Sequence, residues 1–319
     1  MLYMPLKDLK QTMQQKITGL IAAPYTPMHG DGSINLAQIS NQATLLKKEG
    51  VAGAFICGTT GEGASLTIEE RMKIAEAWMK VVGDDFTLIV HVGHNSIGEA
   101  RKLAKHARSI DAHAVAALAP SFFKPATIPD LVTVCATIAE AADSLPFFYY
   151  HIPSMTGVNL PMPAFLSAAS KEIPNLAGVK FSYSDLMQFR QCATMDNRRF
   201  TMFFGSDEML LGALAMGAEG AVGSTYNYAA PNYVKMISAF HDGDLGIAQK
   251  HASNAVDLVQ VLFKYGVLQG GKAIMGMRGV DCGPVRLPLK QLSEAQKTAL
   301  YEDVSRLDIF AKEHLTPPA

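Results

Sequence analysis

Eight short apolar runs, each followed by an amphipathic stretch, constrain this chain more than any other feature. The runs cover 18–23 (TGLIAA), 53–57 (GAFIC), 87–92 (TLIVHV), 113–118 (HAVAAL), 146–150 (PFFYY), 177–181 (AGVKF), 201–204 (TMFF) and 219–223 (EGAVG). Apolar runs of this length between turn residues read as buried strands. Helix starts stand between them: Asn35 before 36–49, Thr67 with Glu70 as a capping box before 68–82, and Ser96 before 97–109. Thr127 with Asp130, Pro161, Ser184 and Asp207 (before 208–216) continue the series. Strand-helix units recurring every 18 to 35 residues or so call for parallel strands joined by right-handed crossovers. Eight of them predict a closed (β/α)8 TIM barrel. An open doubly wound sheet is the alternative, but the first βα turn lacks the GxGxxG that marks its dinucleotide-binding form.

After Asn232 the pattern changes to helices alone, at 232–241, 245–265, 271–279 and 293–312. Amphipathic helices need a surface to cover, so this tail is expected to pack on the barrel. The expected organisation is an N-terminal extension (1–17), a barrel domain (18–231) and a C-terminal helical region (232–319).

Charge and cysteine usage narrow the function classes. A net charge of −1, from 28 Lys+Arg against 29 Asp+Glu, supplies no basic field for nucleic acid. Cys57, Cys135, Cys192 and Cys282 are far apart and form no CxxC, which suits reduced thiols in a cytoplasmic protein. No stretch reaches the roughly 18 uninterrupted apolar residues of a membrane helix, and residues 1–16 carry no apolar targeting core. The expectation is a protein that binds small molecules and neither nucleic acid nor membrane.

Reactive groups of such a barrel stand at the C-terminal ends of its strands. The sixth run carries one lysine, Lys180, in an otherwise apolar segment. Lysine is rarely buried without a partner, burial lowers a lysine's pKa, and a neutral amine attacks ketones to form Schiff bases. The plainer alternative is a lysine whose stem packs while its head reaches water. The second run ends in GTTGEG (58–63), whose amides and two hydroxyls suit a carboxylate or other oxyanion, without the GK[ST] of a phosphate loop. Alternation at the fifth run sends one of Tyr149 and Tyr150 inward, the other being a core residue. The seventh and eighth runs end in GSDE (205–208) and GSTYN (223–227), carboxylates and hydroxyls that suit a polyol, although Asp207 and Glu208 could equally cap the next helix.

His91-x-x-His94 is the nearest approach to a metal pair. A zinc site needs three or four ligands, no HExxH or Cys/His/Glu cluster completes this one, and no metal is assigned. No GxSxG or kinase signature occurs.

GTTGE at 58–62, YYHIPSMTG at 149–157, GVKFS at 178–182, GSDE at 205–208 and GSTYN at 223–227 occur together and in this order. With them the chain resembles the dihydrodipicolinate synthase and N-acetylneuraminate lyase family, from about Gly19 to Leu289. The resemblance is closest to animal-type N-acetylneuraminate lyases, which share YYHIP, the FKP at 123–125, and the late KAIM (272–275) and GPxRLPL (283–289). It implies a (β/α)8 fold with C-terminal helices, usually in a homotetramer. It further implies a class I aldolase that cleaves N-acetylneuraminate reversibly to pyruvate and N-acetylmannosamine without a cofactor, the iminium serving as electron sink. By the resemblance, Lys180 is the Schiff-base lysine and Tyr150 the acid/base. Thr59 and Thr60 bind the substrate carboxylate, Thr60 also orienting Tyr150, while Ser182, Gly205, Asp207, Glu208 and Ser224 hold the hydroxyl tail.

Two departures bear on which member of the family this is. Where dihydrodipicolinate synthase carries an arginine in its PSxTG loop for a second carboxylate, this chain has Met155, which leaves such a charge unpaired. Where that enzyme places a relay tyrosine from the neighbouring subunit, this chain has Phe122-Phe123-Lys124, so the proton path beyond Tyr150 has no assigned residue. Ser182 replaces the threonine of many bacterial lyases and keeps the hydroxyl. A sister aldolase acting on another 2-keto-3-deoxy sugar acid would share Lys180 and Tyr150 and differ at Asp207, Glu208 and Ser224. A sugar-acid-binding protein without chemistry would need neither the lysine nor the tyrosine.

Overall fold

The computed structural model describes residues 16–310 and 315–318. Eight parallel strands close in sequence order: β1 (Gly19–Ala22), β2 (Gly53–Ile56), β3 (Thr87–His91), β4 (Ala114–Leu118), β5 (Phe147–His151), β6 (Leu176–Phe181), β7 (Thr201–Phe204) and β8 (Gly220–Gly223). Pairing of Gly19 with Gly220 through Ala22 with Gly223 seals the ring. The closed barrel, and not the open sheet, is therefore the architecture. Strand alternation divides the apolar residues into two cores. Ile21, Phe55, Ile89, Ala114, Ala116, Phe148, Phe203 and Val222 fill the interior, while residues of opposite parity pack under the helices.

Side-chain caps open half of the described α-helices. Helix α1 (Ile39–Lys48) follows a 3-10 turn, Leu36–Gln38, and the Asn35 side chain makes no cap bond. In α2 (Ile68–Met79) Thr67 and Glu70 form the expected capping box, and in α3 (Ile97–Ser109) the Ser96 hydroxyl accepts from the Glu99 amide. Thr127 and Asp130 cap α4 (Ile128–Ala139) in the same reciprocal way. A single unanticipated turn, α5 (Pro153–Thr156), closes on Gly157 at φ +66 and precedes α6 (Met162–Glu172). Asp185, one residue beyond the expected Ser184, caps α7 (Leu186–Thr194). Asp207 caps nothing: a 3-10 turn, Asp207–Met209, leads into α8 (Leu210–Ala215) without a side-chain cap bond.

Four helices complete the described chain. The one expected from 232 begins earlier, as α9 (Tyr226–His241), with Pro231 inside it. A proline lacks an amide hydrogen and normally ends a helix; here the backbone departs from helical geometry at Ala229, φ −133, and then continues. Helix α10 (Leu245–Tyr265) matches its expected bounds, whereas α11 (Val267–Met277) starts four residues before the expected 271, directly after Gly266 at φ +87. The last, α12 (Glu294–Ser305), is followed by the turn Asp308–Phe310; residues 311–312 of the expected helix lie outside the described residues. Packing of α10 on α9, α11 and α12 brings the helical region over the barrel, and α10 also meets the turn at Asp207–Met209. No described helix is long and apolar enough to cross a membrane.

Candidate active site

Parity of β6 sends Lys180 inward, and the register of the sheet gives it its neighbour. Tyr150 of β5 is its pairing partner, so both side chains rise into the same end of the barrel. The space beneath is opened by Gly178, the preceding inward position, where a Cβ would lie 1.8 Å from the Thr201 carbonyl oxygen. Lys180 is 4% exposed. Its Nζ lies 4.2 Å from the ring centroid of Tyr150 and 4.2 Å from that of Phe55, and it forms no ion pair among the described residues. The head of the side chain thus lies between two aromatic faces and does not extend into bulk water.

Parity at β5 also separates the two tyrosines. Tyr150 belongs to the interior core, packed edge-on to Phe55 and His91. Tyr149 points outward against Phe165, 4.8 Å between centroids, and burial raises its pKa far above the ordinary value. His151, also outward, is fully buried against Phe181 and Tyr183, and burial pushes its imidazole down to about 4.

The loop after β2 folds back over this pair. Cys57 and Glu62 both adopt the left-handed conformation, φ +57 and +53, and the turn closes through Glu62 N–H to Thr59 O (3.0 Å) and Gly63 N–H to Gly58 O (3.0 Å). Gly63 is required there, since a Cβ would meet the Cys57 carbonyl oxygen at 1.9 Å. The turn aims the Thr59 hydroxyl, 3.3 Å from the Tyr150 hydroxyl. The resemblance gives the orienting role to Thr60, whereas the hydroxyl within hydrogen-bond distance of Tyr150 is that of Thr59.

Loops after β6, β7 and β8 interlock on the opposite side. A Cβ at Gly205 would lie 2.0 Å from Ser182 Oγ, and one at Gly223 would lie 2.0 Å from Asp207 Oδ1. Asp207 is buried, and its Oδ2 accepts from the Thr225 amide (2.9 Å) and hydroxyl (2.7 Å); the Thr225 hydroxyl shares a further 2.7 Å bond with that of Tyr233. Burial raises the Asp207 carboxyl, opposed by the Thr225 bonds and by the charge of Lys180. Glu208 is raised by burial first and then by the charge of Asp207. Asp207 is therefore partly engaged in tying the seventh strand end to the eighth, a use that the sequence reading did not assign.

Thr59, Thr60, Tyr150, Lys180, Ser182, Gly205, Asp207, Glu208 and Ser224 all line one cavity of about 220 Å³. Part of its wall is apolar and comes from outside the barrel: Val259, Leu262 and Phe263 of α10, and Val267 of α11. Phe263 is 70% exposed. An apolar side chain on the outer face of a long helix is the one sequence signal of this wall, and spacing does not say which barrel loop it covers.

The histidine pair is otherwise engaged. His91 Nδ1 lies 3.0 Å from the Cys57 carbonyl oxygen and its pKa falls through burial and the neighbouring Arg71, while His94 Nδ1 accepts from the Ser96 amide at 2.9 Å. Among the described residues no three His, Cys, Asp or Glu side chains gather in a group that could hold a metal ion. Met155 is exposed at the turn after β5, and Phe122 and Phe123, 79% and 87% exposed, form an edge-on pair 5.0 Å apart in the loop after β4.

A family model described as the dihydrodipicolinate synthetase family matches residues 16–307. The chain belongs to this family. Relatives within it include a Gallus gallus protein named N-acetylneuraminate lyase, 42% identical over 288 residues, which span 89% of this chain and 94% of the relative. Among solved structures, N-acetylneuraminate lyase (sialic acid aldolase) from Aliivibrio salmonicida superimposes with a TM-score of 0.90 at 43% identity, covering 95% of this chain and 99% of that one. N-acetylneuraminate lyase from Proteus mirabilis does so with a TM-score of 0.90 at 40% identity, covering 94% and 100%.

Proposed function

We propose that this chain is an N-acetylneuraminate lyase, cleaving sialic acid reversibly to pyruvate and N-acetyl-D-mannosamine. The observation that carries the mechanism is the enclosure of the Lys180 amine beside Tyr150, at a cavity whose rim holds hydroxyls and carboxylates. In the reaction the amine adds to the C2 ketone of the open-chain sugar acid, and loss of water gives a protonated imine. Thr59 and Thr60, with the amides of their loop, take the C1 carboxylate. Tyr150, held by Thr59, gives its proton to the departing water and, then a phenolate, accepts the proton of the C4 hydroxyl. The electrons of the C3–C4 bond then move into the iminium, N-acetylmannosamine leaves as its aldehyde, and the enamine left on Lys180 is protonated at C3 and hydrolysed to pyruvate.

Ser182, Gly205, Asp207, Glu208 and Ser224 face the polyol portion of the substrate. Glu208, half-buried at the cavity wall, has the freer carboxylate, since Asp207 already accepts two bonds from Thr225. Met155 brings no cation of its own to the turn after β5, where the Lys124 amine lies against Gly157 instead.

Assembly as a homotetramer belongs to the same reading. The paired, exposed rings of Phe122 and Phe123 support it, as an apolar surface that association would cover. Four buried, unpaired cysteines support a cytoplasmic location. The deciding experiment is pyruvate release from N-acetylneuraminate, N-glycolylneuraminate and 2-keto-3-deoxygluconate side by side. Preference for the first two is expected; preference for the third would move the chain to a sister aldolase.

A further inference from the structure

The KAIM and GPxRLPL motifs lie outside the barrel, and none of their residues lines the cavity around Lys180. Both nevertheless converge on one residue of the loop after β2. Lys272, the first residue of KAIM and part of α11, places its Nζ 2.8 Å from Glu62 Oε1, with both side chains almost wholly buried. The same Nζ donates to the Pro284 carbonyl oxygen at 2.6 Å, which joins it to the second motif. From that motif the Arg286 amide donates to Glu62 Oε2 at 2.8 Å, while the Arg286 guanidinium bonds Glu70 (Nη1 to Oε2, 2.7 Å) at the capping box of α2.

Glu62 is no passive anchor. It stands in the left-handed region, which an ordinary residue occupies only when its surroundings hold it. Its amide closes the turn onto Thr59, its carbonyl accepts from Ser65, and the next carbonyl back, that of Gly61, accepts from the Thr26 hydroxyl at 2.7 Å. The carboxylate is thus gripped from the helical region while the backbone shapes the turn that aims Thr59 at Tyr150.

We propose that Lys272, acting through Glu62, is a positioning residue for loop 58–63, so that the C-terminal helices set the placement of the Thr59 and Thr60 hydroxyls. The inference concerns the loop itself; its catalytic consequence rests on the lyase reading given above. A buried ion pair is weak support for stability, because desolvation offsets much of its attraction. Its use here is geometric: one charged contact and one amide fix a carboxylate whose backbone is strained.

The test is hydrogen exchange in the full-length protein, comparing the wild type with Lys272→Met and with Lys272→Met/Glu62→Gln, which leaves no buried charge unpaired. Faster exchange confined to 58–66 is expected in both, with 201–204 unchanged. Leu300→Ala, a cavity in α12 that breaks no bond to Glu62, controls for general weakening of the helical region. Unchanged exchange at 58–66, or acceleration there as large in Leu300→Ala, overturns the proposal. In the kinetic arm the double variant is expected to raise KM for the keto acid by about tenfold to a hundredfold, while the borohydride-trapped pyruvate adduct still forms at saturating pyruvate. A wild-type KM in a variant whose loop exchanges faster would also overturn it. Failure of the wild type to turn over N-acetylneuraminate would remove the lyase reading, and the exchange result would still decide the positioning claim.

Discussion

Tyr150 and Lys180 are register partners on adjacent parallel strands, and the lysine Nζ lies 4.2 Å from the tyrosine ring centroid. Inward-facing register partners of a barrel stand side by side, so the relation between the phenol and the amine is fixed by the hydrogen-bond ladder and not by a loop. A one-residue slip of β6 against β5 would turn Lys180 out among the helices. The placement of the proposed catalytic pair and the closure of the barrel are therefore one structural requirement.

The first consequence concerns Tyr150. Tyr150→Phe removes the hydroxyl that Thr59 meets and leaves the ring against Phe55 and His91. Imine formation with pyruvate is expected to survive, while cleavage of N-acetylneuraminate slows by about 10² to 10⁴. Single-turnover measurement of both steps checks this, and a cleavage rate near that of the wild type would take Tyr150 out of the reaction.

Much of this was legible from sequence because the barrel imposes alternation and a rule about strand ends. Parity narrows YYHIP to one of Tyr149 and Tyr150, the resemblance picks Tyr150 and Lys180, and the sheet pairs those two residues in register. Thr59 and Thr60 were not separable in that way, because left-handed backbone at Cys57 and Glu62 takes the loop out of any simple period. Phe263 and the Lys272–Glu62 contact were illegible for another reason: they join segments some 200 residues apart in the chain through the docking of helices, which no local pattern encodes. The early start of α9, six residues before 232, was illegible because a sequence does not show the irregular backbone at Ala229 that accommodates Pro231 inside the helix.

Gly205 is constrained by contact and not by conformation. Gly205→Ala would press a methyl group 2.0 Å from Ser182 Oγ and 3.2 Å from its Cα. Overpacking of this kind costs about 1–3 kcal/mol, and displacement of Ser182 is expected to raise KM about tenfold through misplaced polar contacts. Gly205→Ala/Ser182→Gly relieves the clash without restoring the hydroxyl. Thermal unfolding should therefore return towards wild type in the pair while KM stays high; recovery of both would show that Ser182 does not bind substrate.

His151 sets an acid limit on stability. Its folded pKa of about 4 lies below the ordinary 6.5, so the unfolded chain binds the extra proton first and stability falls as pH drops from 6.5 towards 4. The loss amounts to about 3 kcal/mol at the lower end. Neither ring nitrogen has a hydrogen-bond partner among the described residues, so His151→Phe breaks no bond there. The variant is expected to match or exceed wild-type stability at pH 7 and to lose less of it at pH 5. Parallel acid limbs in denaturant titrations of the two proteins would contradict the assignment.

The nucleophile is open to direct chemical capture. Borohydride reduction in the presence of pyruvate, followed by proteolysis and mass spectrometry, should place a reduced three-carbon adduct on the peptide containing Lys180 and on no other. Lys180→Met should yield no adduct and no turnover. An adduct on a different lysine, or an unmodified Lys180 in an enzyme that turns over, would contradict Schiff-base catalysis at this site.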